Sequence, residues 1–80
     1  MFQGPCHIIA AGPTVSGTTE IKLRPANGAF AQTFFVSKAN VAREVLATAL
    51  VAMTSNIPVW CEIDDPTQAY TELKRFVLER

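Results

Sequence analysis

The stretch Ala42 to Trp60, AREVLATALVAMTSNIPVW, carries two charged residues at its start, Arg43 and Glu44, and none after them. Its first part is rich in Ala and Leu and runs to about Thr54, where Thr-Ser-Asn precedes Ile57 and Pro58. This predicts a helix that stops before the proline. Ser37 or Asn40 can cap its start, with Glu44 near the positive end. On a 3.6-residue period Ala42, Leu46, Ala49, Leu50 and Met53 form a core face, and Glu44, Ala47, Thr48, Val51 and Ser55 lie opposite. A helix in water ordinarily turns Lys and Glu outward, yet after the first turn this outer face is small and uncharged. Such a face is built to be covered, which makes Ala47, Thr48, Val51 and Ser55 the candidate oligomer interface.

Eighty residues make one domain, near the size at which a single core is marginal and subunit contacts begin to add stability. Apolar residues are 49% of the chain and charged residues 18%, a balance that argues against disorder. Seven Lys and Arg balance seven Asp and Glu with no basic cluster, which disfavours a nucleic-acid partner. The longest uncharged apolar run, Val45 to Val59, is broken by polar residues and Pro58 and is too short to insert across a membrane. The N-terminus lacks a basic region followed by an apolar run, which leaves room for the mature part of a secreted chain. Phe2 to Pro5, FQGP, match the end of a viral 3C-type protease recognition site, so residues 1–5 are set aside as a possible vector-derived segment and residues 6–80 read as the domain.

Strand signals are clear. Cys6 to Ala11 is a short apolar run ended by Gly12 and Pro13. In TTEIKLR, Thr19, Ile21 and Leu23 alternate with Glu20, Lys22 and Arg24, as in a strand with one wet face. Pro-Ala-Asn-Gly then makes a turn, and a third strand follows near Ala31 to Ser37. In PVWCEID, Val59, Cys61 and Ile63 share one face, and Trp60, Glu62 and Asp64 the other. The tail has two readings. Asp65, Pro66 and the spacing of Ala69, Tyr70, Leu73, Phe76 and Val77 favour a helix, whereas a strand requires a bulge after Leu73 to align Phe76 and Leu78.

Three strands, a helix and one or two strands is the order β-β-β-α-β-β of an OB-like, five-stranded Greek-key barrel, mainly β with one helix. The alternative is an α+β fold with a C-terminal helix. FFVSKANVAREVLATALVAMTSNIPVWCEID followed by LKRFVLE resembles the small OB-fold binding subunits of AB-type bacterial toxins, of the pertussis-like and subtilase-cytotoxin-like kind, and small bacterial proteins similar to them. The shared pattern is a Phe strand, an Ala-rich helix, Ser-Asn before a Val-rich strand, and a last strand with apolar first, fourth and sixth places, here Leu73, Phe76 and Leu78. The resemblance spans the C-terminal half well and the N-terminal half by strand order. It implies a homo-oligomeric ring, a pentamer by preference, with helices lining the pore and edge strands pairing, a catalytic A subunit as partner, and a secreted or periplasmic location. It also favours the strand reading of the tail.

Cys6 and Cys61 are too few for a metal site and read either as buried thiols or as a disulfide. The resemblance brings the first and fourth strands together, where the two cysteines can meet. For catalysis the inventory is thin. His7 is the single histidine and lies next to Cys6, where adjacent strand residues face opposite ways; the carboxylates show no paired arrangement, and Asp64-Asp65 before Pro66 reads as a turn. The chain is read as non-enzymatic, with no cofactor and no metal. Trp60, pointing away from the core, leads a candidate glycan site with Asn56, Glu62 and Tyr70. The other readings are a ligand-free oligomeric or accessory protein, and an oligonucleotide-binding OB domain stacking bases on Phe30, Phe34 and Phe35.

Overall fold

In the computed structural model, which describes residues 1–78, the chain runs β1 (Phe2–Pro13), β2 (Thr19–Pro25), β3 (Thr33–Val36), α1 (Ala42–Ser55), β4 (Val59–Ile63) and β5 (Leu73–Leu78). All five strands join one sheet in the order β3-β2-β1-β4-β5, antiparallel throughout. The fold is therefore mainly β with one helix in the expected order. The barrel, however, is not closed. Its two edge strands meet at a single parallel bridge, Val36 to Glu72. Val36 N–H donates to the Thr71 carbonyl at 3.1 Å and Tyr70 N–H to the Phe34 carbonyl at 2.6 Å, so the seam is pinned by two bonds rather than by a ladder. With only four residues in β3, little edge remains to pair.

β1 is longer than its apolar run because it serves two partners. Residues Phe2 to Cys6 pair with β4 and residues Cys6 to Pro13 with β2. Three residues beyond the change of partner a bulge at Ile9 shifts the inward phase from Phe2, Gly4, Cys6 and Ile8 to Ala11. Residues 2–5, set aside above, thus form the outer half of the central strand. Phe2 is buried, and its ring meets Phe30 edge-on at 4.9 Å. Phe30 in turn meets Phe35 edge-on at 5.8 Å, which draws the β2–β3 loop over the core. Gly28 makes the turn of that loop, with φ +72° and its N–H donating to the Pro25 carbonyl.

In β2 the alternation holds, with Thr19, Ile21 and Leu23 buried and Glu20, Lys22 and Arg24 turned outward. Phe35 faces in and Phe34 out. β5 is a strand, and the helical reading of the tail is overturned. Its register on β4 jumps from Leu73 opposite Ile63 to Arg75 opposite Glu62, leaving Lys74 as the bulge the strand reading required. Locally, Thr67 donates through its N–H (3.1 Å) and its hydroxyl (2.5 Å) to the Asp65 carboxylate. The carboxylate that could have capped a helix closes a turn instead, and those two bonds hold its pKa below the usual range. Tyr70, at φ +65°, rules out a continuing helix. Glu79, the last residue of the LKRFVLE segment, lies outside the described residues.

α1 packs over β1 and β2. Neither Ser37 nor Asn40 caps it. A 3-10 turn at Ala39–Val41 leads in, and no side chain caps either that turn or α1. Ser37 is used elsewhere, its Oγ accepting from Thr19 N–H at 2.9 Å and its N–H donating to the Thr19 carbonyl at 2.8 Å. Thr19 Oγ1 then donates to the Ala42 carbonyl at 2.7 Å, anchoring the first residue of α1 to the start of β2. At the other end Asn56 takes the left-handed conformation, and Ile57 N–H reaches back to the Ala52 carbonyl at 2.9 Å. This is a Schellman-type stop.

Candidate functional site

The expected core face of α1 needs correction. Val45, Ala49 and Ala52 are buried, whereas Leu50 and Met53, expected inward, are 51% and 41% exposed. Ala42 and Leu46 are half-buried at the boundary. The cause is size: Ala49 and Ala52 let the helix approach the sheet closely, which turns the longer side chains outward. Of the four interface candidates, Ala47, Val51 and Ser55 are exposed. Thr48 is half-buried, its hydroxyl donating to the Glu44 carbonyl at 2.9 Å. The uncharged outer face is thus wider than its sequence pattern implied, because Leu50 and Met53 join Val51 on it.

The four glycan candidates take different surroundings. Trp60 and Glu62 share the outward face of β4. Trp60 lies in register between Pro5 of β1 and Val77 of β5, and the Arg75 guanidinium sits 5.4 Å from the centroid of its ring. One side of the indole is therefore already occupied. Asn56 has a structural task as the left-handed residue that ends α1. Tyr70 is 58% exposed and lies on Phe34, the two rings parallel within 5° at a centroid separation of 5.9 Å. Its neighbour is thus on β3 rather than on β4.

Of the three rings proposed for stacking bases, Phe35 is fully buried and Phe30 is half-buried against the core. Only Phe34 is turned outward on the sheet. The Lys22 ammonium lies 5.5 Å from its centroid, and Glu20 occupies the next outward place on β2. Sequence reasoning did not single out Lys22 and Glu20, although the β2 alternation had placed both on the wet face.

Cys6 and Cys61 are free thiols, fully buried on adjacent strands. Cys6 stands opposite Val59 and Cys61 opposite Gly4, so the cysteines are one step out of direct register. Contact with the Cys6 thiol, together with burial, raises the pKa of the Cys61 thiol well above its ordinary range. Diagonal neighbours on antiparallel strands stand about 7–8 Å apart. A disulfide needs the backbone to draw closer than that. His7 lies on the outward face of β1 opposite Arg24, away from the thiol of Cys6. The one ion pair among the described residues, Lys74 to Asp64 at 3.4 Å, is exposed and contributes little. Among the described residues no three His, Cys, Asp or Glu are grouped to hold a metal ion, and no helix is long and apolar enough to cross a membrane.

Compared with known protein families, curated proteins and solved structures, the chain finds no match.

Proposed function

We propose that this protein is a non-enzymatic binding protein that works as a homo-oligomeric ring, similar in plan to the binding subunits of AB-type toxins, with a cell-surface glycan as its ligand. The observation that carries this reading is the outer face of α1. Leu50, Val51 and Met53 are each more than 40% exposed, with Ala47 beside them and no charge after Glu44. In a domain this small, leaving three large apolar side chains about half in water forgoes roughly half of the burial free energy of each, on the order of 1 kcal/mol apiece. A second copy of the chain recovers it.

The edges of the sheet support the same assembly. Among the described residues, β5 beyond the Val36–Glu72 bridge has strand β4 on one side and none on the other. Such an edge is a template for a neighbour's strand. A cyclic ring needs the surface used on one side of each subunit to differ from that on the other, as helix face and strand edge do, with a rotation between subunits that closes. A pentamer with a catalytic A subunit seated on it is the arrangement the toxin resemblance favours.

The test is the effect of Val51→Glu on solution mass, followed by light scattering during size exclusion. The substitution is expected to release folded single chains, because a carboxylate buried in an apolar contact has no partner. If the variant keeps the mass of the parent, the helix face is not the interface.

A further inference from the structure

The two flanks of α1 differ in shape. On one, Arg43 and Leu46 stand beside the end of the β1–β2 hairpin, and Leu50 and Met53 continue that side at helical spacing. The hairpin loop is tightly built. Thr14 N–H donates to the Thr18 carbonyl at 2.9 Å, Gly17 N–H donates to the Thr14 carbonyl at 3.3 Å, and the Thr14 and Thr18 hydroxyls meet at 2.7 Å. This loop holds Val15 fully in water, the most exposed large apolar side chain among the described residues. A turn has no use of its own for a valine there, since Ser or Asn would serve it better.

On the other flank, Glu44 and Thr48 border a groove of about 230 Å³ between α1 and β5. Val41, Val45, Leu73 and Phe76 make it apolar, and it has room for an aliphatic side chain. It runs beside the part of β5 that has no outer strand among the described residues, and Val51 and Ser55 continue this flank along the helix.

We propose that the groove receives the β1–β2 hairpin tip of a second copy of the chain, with Val15 seated among Val41, Val45 and Phe76. Each subunit then gives its hairpin flank to one neighbour and its groove flank to the other. The proposal rests on the oligomeric reading of α1 and names the surfaces that meet. Height agrees: the hairpin borders α1 at residues 42–46 and the groove spans residues 41–48, so a rotation about an axis along the helix brings the two to the same level. Charge agrees as well. At the groove mouth Lys74 is paired with Asp64 and Arg75 lies on the Trp60 ring, which leaves Glu44 and Lys38 for a neighbour. The hairpin flank brings Arg43 to Glu44, and the Thr14 and Ser16 hydroxyls to the Lys38 ammonium. Arg43 and Glu44 form no ion pair among the described residues. As adjacent helical residues they point about 100° apart and do not face each other within one chain.

The test follows oligomeric mass by light scattering over a dilution series for the parent, Val15→Ser, Arg43→Glu and the double variant Arg43→Glu/Glu44→Arg. Val15→Ser, at a side chain that is fully exposed in the single chain, is expected to raise the concentration of half-dissociation by about tenfold or more with circular dichroism unchanged. Arg43→Glu sets two carboxylates against each other at every contact and is expected to raise it severalfold. Adding Glu44→Arg restores an opposite pair and most of the parent's stability to dilution, a coupling that reports contact between chains. If Val15→Ser dissociates like the parent, or the second charge change brings no recovery, the hairpin tip is not the occupant, while loss of assembly in Val51→Glu keeps the oligomeric reading. A parent that stays a single chain at every concentration overturns both.

Discussion

The two faces of α1 invert the usual order of side-chain size. Inward stand Val45, Ala49 and Ala52; outward stand Leu50, Val51 and Met53. A helix serving only its own core would bury the leucine and expose the alanines, since burial of a longer apolar side chain stabilises more. Here the small residues serve proximity. With Ala49 fully buried, α1 lies close over β1 and β2, and Thr19 can reach the Ala42 carbonyl at 2.7 Å. The inner face is thus made for fit, and the outer face retains the apolar area for something outside the domain.

That contrast can be broken at several points. The largest effect is expected from Val51→Glu, which places a charge in the proposed contact at a cost on the order of several kcal/mol and should remove the assembly altogether, leaving a single chain with native circular dichroism. Next is Ala49→Leu, which fills space the inner face does not have. It should cost about 1–3 kcal/mol in chemical denaturation of the single chain, measured on the Val51→Glu background so that assembly does not mask it. An Ala49→Leu variant as stable as its parent would mean that α1 is not closely seated.

Thr19→Val tests what fixes the inward face. The swap keeps the shape but removes the hydroxyl that donates to Ala42, and it should cost about 0.5–1.5 kcal/mol, the net worth of one hydrogen bond, since the Ala42 carbonyl keeps its bond within the helix. Smallest of all is Leu50→Ala. In the single chain it should change stability by no more than about 0.5 kcal/mol, as for surface sites generally. In the assembled protein the same change should move the dissociation midpoint to higher protein concentration. A large loss in the single chain would show that Leu50 packs internally, and the inversion of the two faces would be lost with it.

The element order was legible because each strand announces itself by local means: alternation in Thr19 to Arg24 and in Val59 to Ile63, and turn chemistry at Pro25 to Gly28. The orientation of α1 was not. A helix apolar on nearly all sides gives periodicity little to choose between, and the deciding factor, how closely the helix can approach the sheet, is a property of the packed pair. The phase of β1 was hidden by the bulge at Ile9, where one extra residue reverses which side chains face inward. In the tail, helical spacing from Ala69 to Val77 was overruled by pairing with β4, and Asp65 found its hydrogen bonds in a turn. The Phe34–Tyr70 stack depended on that same outcome. Tyr70 reaches β3 only because residues 70–72 close the seam of the sheet, a contact between positions far apart in sequence.

The reading of the outer helix face stands on self-association. The direct measurement is the solution mass of the purified chain by light scattering across a range of concentrations. The account predicts about five times the 8.7 kDa of one chain, falling to a single chain in Val51→Glu. A parent protein that remains at 8.7 kDa at every concentration would contradict it.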